Sequence, residues 1–78
     1  MKGSLAEVPV GAEAEVTAIR CDRAVSRRLM EMGLVPGTGV RVVRVAPLGD
    51  PIELRVRDYS LSVRRADAAK IAVIRGTG

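Results

Sequence analysis

The stretch Val40-Arg41-Val42-Val43-Arg44-Val45-Ala46-Pro47-Leu48-Gly49-Asp50-Pro51-Ile52-Glu53-Leu54-Arg55-Val56-Arg57 decides the fold. Its last third, Ile52 to Arg57, alternates apolar and charged side chains without error, the period of a strand with one buried face. Its first third is β-branched and charged by turns, but the alternation slips at Val42-Val43, which predicts a bulge or a change of buried face. Between them Ala46 to Pro51 is a proline-bracketed loop, so the flanking segments make a hairpin. Asp58-Tyr59 then links to a third strand, Leu61-Ser62-Val63-Arg64, through a tight turn in which Asp58 is expected to take the left-handed position.

Toward the N-terminus, Val35-Pro36-Gly37-Thr38-Gly39 is rich in turn residues. Before it, Asp22 reads as the N-cap of a helix running to Met32, with Val25, Leu29 and Met32 at i, i+4 and i+7 on its buried side. Gly33 falls where a C′ glycine takes the left-handed conformation, Leu34 would pack back on Leu29, and Pro36 stops the helix from resuming. Glu13 to Arg20, with Val16, Ala18 and Ile19, reads as a strand. Ser4 and Glu7 stand in capping-box spacing, which gives residues 4–8 one helical turn before Pro9. Toward the C-terminus, Ala66 to Lys70 favours a short helix and Ile71 to Ile74 a final strand.

About five short strands in 78 residues cannot stack as a large sandwich. The expected architecture is mainly β, a small barrel that reduces exposed strand edges. One α-helix at about 22–32 would cover its side or open end, with one or two short helical turns besides. Residues 1–78 read as a single domain.

Composition narrows the function. With 47% hydrophobic and 28% charged residues the chain is globular rather than disordered. Thirteen Lys and Arg against nine Asp and Glu give a net charge of +4, which allows an anionic partner without demanding one. Cys21 is the single cysteine, so no internal disulfide forms, and no leader-like or membrane-spanning apolar run is present; the expected location is cytoplasmic. Histidine is absent, a phosphate-cradling loop motif is absent, and the carboxylates are scattered without a paired motif. The chain therefore reads as no enzyme, with no catalytic residues, no cofactor and no metal site. Cys21, just before the helix, reads as a small spectator.

Partner contact is the remaining class. Arg55 and Arg57, with Arg41 or Arg44 opposite, form either a basic stripe for an anionic surface or a solvated sheet face interleaved with Glu53 and Asp58. Nucleic acid is not expected, because Tyr59 is the one aromatic residue and single-strand binders stack bases on several. On the helix, Met30 should be exposed beside Arg23 and Arg27, a contact adaptable to a protein partner. Leu48, at the tip of a loop stiffened by Pro47 and Pro51, either reaches a partner or folds back over the barrel mouth. The candidate contact residues are thus Arg27, Met30, Leu48, Arg55, Arg57 and Tyr59. Arg28 and Arg64 either make structural ion pairs with Asp67, Glu31 or Asp50, the favoured use, or point at a partner. The chain is expected to be a monomer or a weak homo-oligomer, the latter by pairing of Val40 to Val45 as an edge strand.

Three segments carry a resemblance: Arg28-Leu29-x-x-Met32-Gly33-Leu34-x-Pro36-Gly37-Thr38-x-Val40, Ala46-Pro47-Leu48-Gly49-Asp50-Pro51, and Leu61-x-x-Arg64-x-x-Asp67-Ala68-x-x-Ile71-x-Val73. Over residues 4–74 the chain resembles the FeoA family, small cytosolic partners of the ferrous-iron transporter FeoB. The resemblance implies an SH3-like β-barrel. It also implies a non-enzymatic cytosolic accessory protein for ferrous-iron uptake that binds the cytoplasmic GTPase region of FeoB. Membrane contact would then be peripheral, through the transporter, and transition-metal binding attaches to this chain only as a family term. The family pattern more often has Glu at the place of Asp67 and Gly at the place of Asp58, and neither departure is expected to change the fold. An FeoA-like module also forms the C-terminal domain of some DtxR-type metal-dependent repressors. The alternative is therefore a free-standing regulatory SH3-like module that binds a protein segment.

Overall fold

In the structure, a computed structural model describing residues 2–75, the chain runs through strand β1 (Lys2–Ser4), a 3-10 turn (Leu5–Glu7), strand β2 (Glu13–Ile19) and helix α1 (Arg23–Glu31). Strands β3 (Gly39–Val45), β4 (Ile52–Val56) and β5 (Tyr59–Val63) follow, then the short helix α2 (Arg65–Ala68) and strand β6 (Ile71–Arg75). The six strands form one sheet in the order β1-β6-β2-β3-β4-β5. Every neighbouring pair is antiparallel.

One strand lies outside the sequence expectation. Lys2–Ser4 pairs with β6, Lys2 opposite Ile74 and Ser4 opposite Ala72. Its few residues carry no alternation to detect, and only the ladder offered by β6 makes them a strand. Directly after it the expected helical turn forms, and the Glu7 carboxylate accepts the Ser4 N–H at 2.8 Å.

The inward side chains of all the long strands meet in one core. Val16, Val42, Leu54, Ile71 and Val73 are buried, joined by Leu5 from the 3-10 turn and Leu34 from the loop after α1. Val16 faces Val73, Val42 faces Leu54 and Ile52 faces Val63 across their ladders, so cross-strand pairs supply much of the packing. Removing each such side chain from water stabilises the fold by roughly 1.5–3 kcal/mol. Because a single cluster collects the inner faces of strands from β2 to β6, the sheet wraps round its core. Among the described residues β1 and β5 remain its edges.

The slip at Val42-Val43 is a register shift between β3 and β4, falling between Val42 and Arg44. Val43 faces outward in phase with Arg41, and the shift leaves the following Arg44 outward as well. Strand β3 is central, with β2 on one side and β4 on the other, so the expectation of an edge strand at Val40 to Val45 is corrected: the Glu13–Glu15 ladder occupies that edge. A second correction concerns the β4–β5 turn. The left-handed residue is Arg57, at φ 58°, and not Asp58. Val56 pairs with Tyr59, so the two-residue link is Arg57-Asp58 and β5 starts at Tyr59.

Helix α1 ends as its sequence requires. Asp22 caps the start, its side chain accepting the Val25 N–H at 2.9 Å. At the other end Gly33 has φ 94°, its N–H donates to the Met30 carbonyl, and the Leu34 N–H donates to the Leu29 carbonyl at 3.0 Å. This is the Schellman pattern, with Leu29 and Leu34 both buried beneath it. Of the expected stripe only Leu29 is fully buried, while Val25 and Met32 pack half-buried against the core. Thr38 stitches the following loop, donating to the Gly33 carbonyl, and the Val16 N–H donates to the Thr38 carbonyl.

Candidate functional site

The outer face of β2, β3 and β4 forms a shallow groove lined by Glu13, Glu15, Arg41, Val43, Arg55 and Arg57. Register builds it. Glu13 stands opposite Arg41, Arg41 opposite Arg55, and Arg55 opposite Ser60, so one row crosses four strands. The Arg41 guanidinium donates to the Glu13 carboxylate at 2.8 Å. Both side chains remain well exposed, so this pair stabilises by about 0–1 kcal/mol. Arg44 falls opposite Glu53 instead. Among the described residues the ion pairs are Arg41 with Glu13 and Arg27 with Glu31, which leaves Arg55 and Arg57 without a carboxylate.

Leu48 occupies a second place. It is 97% exposed, so it reaches outward and does not fold over the barrel mouth. The loop beneath it is held: the Gly49 N–H donates to the Ala46 carbonyl at 2.7 Å and the Ala46 N–H to the Pro51 carbonyl at 3.0 Å. From α2 the Arg65 backbone N–H donates to the Asp50 carboxylate at 2.9 Å, and the Arg65 side chain to the Gly49 carbonyl at 2.8 Å. Leu48 and Arg57 stand beyond opposite ends of β4, whose five residues span roughly 17 Å.

Helix α1 supplies a third surface, where Met30 is 47% exposed in a depression lined by Arg23, Ser26, Arg27 and Glu31. Arg27 lies 3.8 Å from Glu31, one turn away. Tyr59 has a structural bond: its hydroxyl donates to the Met32 carbonyl at the end of α1, one of the acceptors a helix end leaves open, while its ring stays partly exposed. The six candidate residues therefore fall on separate surfaces, with Arg55 and Arg57 together on the groove.

The ion pairs expected of Arg28 and Arg64 are corrected. Neither makes an ion pair among the described residues, and Asp50 is engaged by Arg65 instead. Arg65 was missed as an anchor; its signal is its position at the start of α2, where a free N–H is offered to a carboxylate. Glu13, Glu15 and Val43 were also missed as groove residues; alternation from Val40 through Val42 was the signal that places Val43 on the outer face. Cys21 is half-buried, its thiol directed at the Asp67 carbonyl at 3.6 Å. Burial raises its pKa above the ordinary 9.0, with the charges of Asp67 and Asp22 adding and Lys70 opposing. No group of three or more Cys, Asp or Glu side chains converges among the described residues in a way that suits a metal ion. No helix among them is long and apolar enough to cross a membrane.

The FeoA domain model matches residues 3–75. An Fe(2+) transport protein A/Fe(2+) transporter FeoB fusion protein of Porphyromonas gingivalis is 42% identical over 69 residues, 88% of this chain and 8% of the fusion. The chain thus spans less than a tenth of that relative's length. The FeoA protein of Chlorobium tepidum superimposes with a TM-score of 0.92 at 45% identity, covering 96% of this chain and 71% of that one. The zinc-complexed FeoA of Stenotrophomonas maltophilia, described as a procaryotic SH3 domain protein, gives a TM-score of 0.78 at 31% identity, covering 90% and 87% of the two chains. The SH3-like fold is therefore shared. A manganese-dependent transcriptional repressor has a TM-score of 0.86 over 96% of this chain and 42% of its own, at 17% identity, a likeness of fold alone.

Proposed function

This chain belongs to the FeoA domain family, and from that premise we propose that it is a non-enzymatic cytoplasmic accessory protein of ferrous-iron transport that binds the GTPase region of FeoB. The observation that carries the reading is the relative in which a segment 42% identical to this one is joined to an Fe(2+) transporter in a single polypeptide. Joining two modules turns their association into an intramolecular event with a high effective concentration, which favours modules that work in contact.

The exposed surfaces suit contact better than chemistry. Leu48 on its braced loop, Met30 on α1 and the arginines of the groove face solvent. Histidine is absent from the sequence, and burial holds the one thiol toward its protonated form, so neither an imidazole base nor an activated thiolate is offered at neutral pH.

The test is calorimetry of the purified chain against the soluble GTPase region of the FeoB from the same genome, in nucleotide-free, GDP-bound and GTP-analogue states. Saturable binding that weakens with salt is expected. Absence of heat in every state, together with no capture of the full-length transporter in nanodiscs, refutes the reading.

A further inference from the structure

The groove keeps an arrangement that costs the fold stability. Arg41 and Arg55 are directly opposed across β3 and β4, and like charges so placed destabilise a sheet. Glu13 relieves Arg41 from the far side, while Arg55 has no carboxylate among the described residues. Arg57, next along the same lining, holds φ 58°, a conformation that glycine, asparagine or aspartate adopts at lower cost than a long side chain. Val43 faces outward in phase with Arg41, which puts an exposed apolar side chain among the guanidinium groups of this lining.

We propose that this groove binds an acidic protein segment in extended conformation, its carboxylates on Arg55 and Arg57 and an aliphatic side chain over Val43. The partner's identity rests on the FeoB reading, whereas the surface chemistry stands without it. Arg55 and Arg57 are two residues apart, roughly 6–7 Å along the chain, which matches the i to i+2 spacing of carboxylates on one side of an extended peptide. Each planar guanidinium can take a carboxylate in bidentate fashion. Glu13 and Glu15 form the opposite rim of the groove. They repel a broad anionic surface such as a bilayer or a nucleic-acid backbone, yet leave room for a narrow strand that keeps to the arginine side. Tyr59, the one aromatic residue of the chain, is not among the groove's lining residues, so the groove offers bases no aromatic stacking platform.

The experiment is amide and Arg Nε NMR of the full chain titrated with a synthetic peptide alternating glutamate and leucine, and with a lysine counterpart. Shifts confined to Arg41, Val43, Arg55 and Arg57 with the glutamate peptide alone are expected. The Arg55→Gln, Arg57→Gly double variant should weaken binding about tenfold or more. Since it relieves the opposed charges and the left-handed arginine, it should melt at or above the parent temperature, so its loss of binding is not unfolding. The Arg23→Gln, Arg27→Gln variant on α1 removes the same charge and should bind as the parent does. Shifts elsewhere, an equal loss in the helix variant, or tighter binding of a single-stranded oligonucleotide or anionic vesicles at the same residues overturns the proposal. Calorimetry against the FeoB region separates the two readings. Equal binding by parent and groove variant refutes the groove and leaves FeoB. Peptide binding at the groove without any FeoB binding refutes the FeoB reading and leaves the groove.

Discussion

Replacing Gly33 by alanine tests the end of α1, where backbone and side-chain constraints coincide. Gly33 sits at φ 94°, and an L residue there costs about 1–2 kcal/mol. The new Cβ would also collide with the Tyr59 hydroxyl, so the bond from that hydroxyl to the Met32 carbonyl must open, losing about 1 kcal/mol more. The expected total is about 2–3 kcal/mol, and in a domain this small each kcal/mol lowers Tm by roughly 4–8 °C. Urea and thermal unfolding followed by far-ultraviolet circular dichroism reads it directly. A Tyr59→Phe background separates the two parts: without the hydroxyl the Cβ gains room, and Gly33→Ala should then cost only the backbone share, about 1–2 kcal/mol. A cost below about 0.5 kcal/mol would refute the left-handed cap, and equal costs in both backgrounds would refute the collision.

Other expectations are more local. Leu29→Ala empties the one fully buried position of α1 and should destabilise by about 2–5 kcal/mol in urea unfolding. Arg65→Ala removes the bond to the Gly49 carbonyl and should cost about 0.5–1.5 kcal/mol, with faster amide exchange at Gly49 while the core amides stay protected. Because the folded pKa of Cys21 is raised by burial, its contribution is complete below the unfolded pKa and is lost as pH rises through the folded one. Stability should therefore decline on the alkaline side in the parent more than in Cys21→Ser, and iodoacetamide should label the folded chain more slowly than the unfolded one. Arg57→Gly alone should stabilise by about 1 kcal/mol while weakening the acidic-peptide contact.

Local signals carried most of the fold. The cap at Asp22, the glycine at 33 and the slip at Val42-Val43 each reflect a physical requirement contained within a few residues, and each appears where the sequence put it. What failed was set by partners distant in the chain. Lys2–Ser4 is a strand because β6 offers hydrogen bonds, and β3 is central because Glu13–Glu15 covers its other side. The turn at Arg57-Asp58 is a different kind of miss. Aspartate tolerates left-handed backbone better than arginine, but register across Val56 and Tyr59 determined which residue must adopt it. The candidate site was legible as a list of exposed side chains, not as a geometry. Alternation and the hairpin placed Arg55 outward with Arg41 or Arg44 opposite, yet the register is needed to choose Arg41, and strand order to bring Glu13 against it.

The ladder between β1 and β6 brings Lys2 beside Ile74, so the described residues run a nearly closed circuit, residue 74 returning to within one strand spacing, about 5 Å, of residue 2. Force applied to both ends would load this ladder as a zipper, opening its hydrogen bonds one at a time instead of shearing them together. Attachment through a single end puts no tension across it. A load that enters at residue 2 and leaves at residue 75 therefore opens the sheet at its β1 edge first.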